Sequence, residues 1–170
     1  HFNYGKEVNR GFAYLFEMGT GKTLTSIALM SALYRRGVIE RVLVVCPSSL
    51  IGSWAQEIEK FAAFPYTVAQ LMGEKSKRIA QLDDLRHGAG LKIAIINYES
   101  TFRDGLEEAL TAYGADLIIC DESQRIKIDL AVIHMAPQCS GLAKRQNSEL
   151  FYRERRYRTR QSIFIHNINF

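Results

Sequence analysis

Five residues near the start of the chain, Gly19-Thr20-Gly21-Lys22-Thr23, constrain its fold more than any other stretch. Before them, Gly11 to Phe16 has the apolar texture of a strand. After them, Lys22 to Arg36 lacks Gly and Pro, is rich in Leu, Ile, Ala and Met, and reads as a helix stopped by Gly37. Apolar residues cover most of this helix's circumference, so it is expected to be largely buried. A glycine-rich turn between strand and helix has a physical use. Its backbone N–H groups can wrap an anionic phosphate, and the dipole of the following helix adds to the attraction. Gly19 and Gly21 permit that turn without a Cβ clash. Lys22 can then reach the β- and γ-phosphates of ATP, and the Thr23 hydroxyl can ligate magnesium. The strict form of such a loop begins with a glycine where this chain has Phe16. The bland alternative is a strand-to-helix turn with an incidental lysine; the order strand, loop, helix favours phosphate binding.

The rest of the chain up to Lys127 repeats the alternation. Strands are expected over Arg41 to Val45, Tyr66 to Leu71, Leu91 to Asn97 and Asp116 to Cys120. Helices are expected over Leu50 to Phe61, Lys75 to Arg86 and Glu99 to Leu110. Ser48 and Ser49 offer an N-cap for the first of these helices, and Trp54, Ile58 and Phe61 line one of its faces. Strands alternating with helices imply an α/β fold whose mostly parallel sheet is covered on both faces. Ligands of such sheets sit beyond the carboxyl ends of the strands.

One of those ends carries Asp121-Glu122, directly after the apolar Leu117-Ile118-Ile119-Cys120. Two carboxylates closing a buried strand are costly unless they hold a cation. Beside a phosphate loop, Asp121 is the candidate magnesium ligand, acting through water, and Glu122 the group that orients and deprotonates an attacking water. Taken alone, such a pair is as readily an ordinary surface feature at a strand end.

Composition bounds the remaining possibilities. A chain of 170 residues with 47% hydrophobic content can bury one sizeable core. Its net charge of +4 lies entirely after Lys127, because residues 1–127 hold equal numbers of each sign. Cys46, Cys120 and Cys139 form no CxxC pair, and buried reduced thiols are expected. His1, His87, His134 and His166 show no metal spacing. No apolar stretch is long enough to span a membrane, and no signal peptide opens the sequence, so a cytoplasmic or nuclear location is expected.

These blocks resemble a known family. Glu17-Met18-Gly19-Thr20-Gly21-Lys22-Thr23 is similar to the first motif of the superfamily-two helicase-like ATPases, in the form used by Swi/Snf-related DNA translocases. Leu43 to Leu50 with Trp54, then Ile96-Asn97-Tyr98-Glu99, then Asp121-Glu122-Ser123-Gln124-Arg125-Ile126-Lys127 resemble its following blocks, in order. The resemblance covers residues 4–127. It implies a three-layer RecA-like P-loop lobe, truncated, that binds ATP and magnesium. It also implies duplex DNA as partner and a second RecA-like lobe, outside this chain, that supplies an arginine finger. Gln124 stands where histidine is usual and is read as a variant that bonds toward the γ-phosphate. Ser48, Ser49, Asn97 and Tyr98 fall where the family approaches nucleic acid, while Trp54 reads as core packing.

Residues 128–170 lack the family's continuation and form the second division of the chain, a basic tail. Phe151 to Arg160 holds five arginines and two tyrosines, and reads as a charged tail or a nucleic-acid grip. Ser162 to Phe170 shows no evident partner strand. A shifted reading frame or truncated gene is one expectation for this segment. Two rivals stay open: a nucleotide- or nucleic-acid-binding module without turnover, and a small P-loop kinase, for which no lid or acceptor site is visible.

Overall fold

The computed structural model describes residues 12–16, 21–101, 105–122 and 161–167, the first and last of these segments by their backbone. Six strands form one sheet. They are β1 (Phe12–Phe16), β2 (Arg41–Cys46), β3 (Tyr66–Gln70), β4 (Leu91–Asn97), β5 (Leu117–Asp121) and β6 (Gln161–Asn167). The helices are α1 (Lys22–Arg35), α2 (Ile51–Phe61), α3 (Lys75–Arg86), α4 (Tyr98–Thr101) and α5 (Leu106–Tyr113).

The strand order is β1-β6-β5-β2-β4-β3. β2, β3, β4 and β5 pair in parallel, whereas β6 runs antiparallel to both of its neighbours, β1 and β5. Two successive reversals leave β1 pointing the same way as β5. Five of the six strands therefore share a direction, as expected for a mostly parallel sheet. The carboxyl ends of β1, β2, β4 and β5 all open onto one edge.

Alternate side chains of the buried strands feed two cores. On one face Val42, Val44, Leu117 and Ile119 pack against Ile27, Met30 and Leu33 of α1 and Ile51, Trp54 and Ile58 of α2. On the other, Leu43, Val45, Ile96 and Ile118 meet Leu82 and Leu85 of α3 and Leu106, Leu110 and Tyr113 of α5. This is the three-layer α/β arrangement. β2 and β5 are apolar without alternation because both of their faces are covered.

Four local expectations need correction. α1 buries a single stripe, Ser26, Ile27, Met30 and Leu33, while Leu24 is 45% exposed, so the helix is not enclosed on all sides. Ser48 and Ser49 do not cap α2. They lie in a 3₁₀ turn, Ser48–Leu50, and Leu50 precedes the helix with no side-chain capping bond. Phe61 leaves the buried face of α2 at the helix end, where the Lys60 ammonium sits 4.9 Å from its ring centre. The expected helix over Glu99 to Leu110 is two helices. Gly105, at φ 77°, stands immediately before α5, which then runs on to Tyr113. The left-handed backbone there suits glycine and does not continue a helix.

The segment with no evident partner strand also has one. Residues 161–167 fill the slot between β1 and β5, with Ile165 opposite both Phe12 and Ile119. A strand in that slot pairs the facing backbone groups of β1 and β5, which a gap would leave bare.

Candidate nucleotide site

The sheet edge gathers the predicted chemistry. β2 and β5 are in register with Val45 opposite Cys120, and β2 and β4 with Cys46 opposite Asn97. Cys46, Asn97 and Asp121 thus close three strands at one level. One strand beyond β6, on the same edge, β1 ends at Phe16 and the described chain resumes at Gly21. Two inter-strand spacings put β1 about 10 Å from β5.

Gly21 adopts the left-handed conformation, φ 82° and ψ 27°, and the first helical residue of α1 is Lys22. The Gly21 carbonyl accepts the backbone N–H of Thr25 at 2.9 Å and its hydroxyl at 3.1 Å. No side chain caps the N-terminus of α1. That terminus therefore offers backbone donors and a positive dipole end to an anion. Thr23 lies in the same first turn. Gly19, Thr20 and Gln124 lie outside the described residues, as does the arginine run 153–160.

Asp121 is 7% exposed, and its carboxylate is held at both oxygens. Oδ2 accepts the indole N–H of Trp54 at 2.9 Å. Oδ1 accepts the backbone N–H of Glu122 at 2.9 Å. The Asp121 carbonyl oxygen accepts the Tyr98 hydroxyl at 2.6 Å. Each carboxylate oxygen keeps lone-pair capacity beyond its one bond. Glu122 has φ 52° and is the non-glycine residue with positive φ among the described residues. Backbone of this kind costs about 1–2 kcal/mol.

Magnesium suits this donor set. It keeps several waters and takes one or two carboxylates or hydroxyls together with phosphate oxygens. No group of three His, Cys, Asp or Glu stands together among the described residues.

Buried neighbours feel the Asp121 charge. Burial, and then Asp121, push the Cys46 thiol up to about 12. Burial pushes the Cys120 thiol up to about 12, against a hydrogen bond with Tyr98. Burial first, then Cys120 and Asp121, raise the Tyr98 phenol well above its ordinary value. All three stay protonated at neutral pH, and both described thiols are buried and unpaired, as expected.

Two candidates for nucleic-acid contact have polar groups engaged within the chain. Asn97 has its amide group engaged, donating to Glu99 Oε2 and accepting the Ser100 hydroxyl, each at 2.6 Å. Tyr98 points its hydroxyl inward to Asp121. Ser48 and Ser49 are exposed at the end of β2. Trp54 packs in the core, as expected from its spacing, yet its N–H reaches Asp121. That link is invisible in the sequence, where 67 residues separate the two.

The SNF2-related domain family matches this sequence over residues 6–146. Protein CHROMATIN REMODELING 25 of Arabidopsis thaliana is 32% identical over 127 residues, covering 71% of this chain and 14% of its own length. DNA repair and recombination protein RAD54-like of Gallus gallus is 39% identical over 121 residues, covering 65% of this chain and 16% of its own length. Among solved structures, the Sulfolobus solfataricus SWI2/SNF2 ATPase core in complex with dsDNA superposes with a TM-score of 0.50 at 29% identity. That match covers 66% of this chain and 22% of the solved one. The chain thus spans a small part of the proteins it matches. No helix among the described residues is long and apolar enough to cross a membrane.

Proposed function

The chain belongs to the SNF2-related domain family, and from that premise we propose that it is the nucleotide-binding lobe of a Swi/Snf-type, DNA-dependent ATPase. The observation that carries this reading is the shared edge of the sheet. There the N-terminus of α1, led by left-handed Gly21, and the buried carboxylate of Asp121 close strands that point the same way.

Each residue then has a role. Gly19, Thr20 and Gly21 present backbone N–H groups to the phosphates. Lys22 places its ammonium against the β- and γ-oxygens, a charge-assisted contact. Thr23 and, through water, Asp121 would hold magnesium, which when bound would supply positive charge to the phosphates. Glu122 orients the attacking water and takes its proton, and Gln124 bonds toward the γ-phosphate. The exposed Ser48 and Ser49 are suited to a nucleic-acid phosphate at the same edge. The transition-state arginine comes from a second lobe. In the intact protein, closure of the two lobes over ATP drives movement along duplex DNA.

The test is hydrolysis by the full-length protein with and without duplex DNA. DNA should raise the rate, and Lys22→Ala should remove nucleotide affinity and hydrolysis together. An unstimulated rate, or nucleotide affinity unchanged in Lys22→Ala, refutes the assignment.

A further inference from the structure

Trp54 does more at this edge than fill the core. Its ring is 2% exposed, on the α1 and α2 face of the sheet, yet its one polar atom is aimed across that core at Asp121. A buried indole N–H needs an acceptor, and a carbonyl would serve. Here the acceptor is the carboxylate that closes β5. The torsion that sets the plane of a carboxylate is soft and broadly distributed. One hydrogen bond leaves the group free to swing. Two, on opposite oxygens, fix the plane. Glu122 N–H holds Oδ1 and Trp54 Nε1–H holds Oδ2, both at 2.9 Å. The indole N–H can only donate, and the Asp121 oxygen accepts it. Tyr98 fixes the backbone of the same residue from the other side of the sheet, with its ring against the second core.

We propose that Trp54 is a positioning residue for Asp121. Its indole N–H holds the carboxylate in the orientation that receives hydrated magnesium, and so couples α2 to the metal half of the nucleotide site. This rests on the reading of Asp121 as a magnesium ligand. Partners of metal ligands at one remove commonly alter metal affinity by about 10- to 100-fold.

Trp54 is the chain's one tryptophan, so a single indole ¹H–¹⁵N resonance reports on this bond. The experiment follows that resonance in the 170-residue chain during titration with ADP plus magnesium, and with ADP plus chelator. Calorimetry under both conditions is run on wild type and Trp54→Phe, which keeps an aromatic ring and loses the donor. The expected result is an indole shift with magnesium-ADP and little with ADP alone. In Trp54→Phe the magnesium enhancement of ADP affinity falls about tenfold while metal-free affinity holds within about twofold. Failure of magnesium-ADP to bind the wild type at all refutes the nucleotide site itself. Binding with an unmoved indole resonance, or with the magnesium enhancement intact in Trp54→Phe, overturns the positioning role and leaves the site standing. If Trp54→Phe does not fold, the wild-type resonance decides alone.

Discussion

Asp116 is the point at which the fold's register can be attacked without touching the nucleotide site. It stands just before β5, at the edge of the sheet opposite Asp121. Its Oδ2 accepts the backbone N–H of Glu40 at 2.8 Å and of Arg41 at 2.9 Å, while its own N–H donates to the Arg41 carbonyl at 2.8 Å. The carboxylate thus clips the start of β2 to the start of β5, and the pairing of Val42 with Leu117 follows directly. That register, carried along both strands, delivers Asp121 to its place beside Cys46. A hydrogen bond to a charged group is worth about 1.5–3 kcal/mol. Two are lost in Asp116→Ala, but the Glu40 amide, only part-buried, can regain water. We expect a loss of about 2–4 kcal/mol, a large share of the roughly 5–15 kcal/mol typical of a domain. Asp116→Asn keeps a neutral acceptor, so about half that loss is expected. Urea unfolding measures both, with the midpoint lowered and the slope unchanged. Magnesium-ADP affinity of the folded protein should stay at the wild-type value. An Asp116→Ala variant within about 0.5 kcal/mol of wild type would refute the clip.

The other predictions concern the site and its neighbours. Lys22→Ala should weaken ATP binding at least about tenfold, or about 1.4 kcal/mol, by calorimetry. Glu122→Gln should leave nucleotide binding nearly intact and abolish hydrolysis in the full-length protein; loss of binding instead would make Glu122 a structural or metal-binding group. Because Cys46 and Cys120 have folded-state values raised from 9.0 to about 12, the folded state holds their protons longer than the unfolded chain. Their stabilising contribution is complete below the unfolded value and fades as pH rises from about 9 to about 12, so the urea midpoint should fall across that window. A flat profile would contradict it. The 170-residue chain by itself should bind magnesium-ATP and turn it over near background. An arginine finger is worth about 10³–10⁵ in rate, and on the proposed reading it comes from a second lobe. Robust DNA-stimulated hydrolysis by this chain, lost in Glu122→Gln, would show that the missing arginine is supplied here.

What the sequence determined by itself was local and periodic. The apolar runs of β2, β4 and β5, the left-handed Gly21 before Lys22, and the carboxylate that ends β5 state their conformations within a few residues. Their order was enough to place Gly21 at the start of α1 and Asp121 at the end of β5. Tertiary structure decided whatever depends on partners far apart in the chain. β6 became a strand because β1 and β5 leave a slot between them, and no local pattern announces a slot. Ser48 and Ser49 were drawn into a 3₁₀ turn instead of capping α2. Leu24 faced outward although its helix is apolar nearly all round, since only the stripe through Ile27, Met30 and Leu33 meets the sheet. Trp54 read as packing from its spacing, and packing it is. Its bond to Asp121 exists because the parallel register of β2 and β5 brings the end of one strand beside the helix that follows the other. Hydrophobic periodicity records which face of an element is buried. It carries no information about which buried polar atom another element will offer there, and the geometry of this site is made of such meetings.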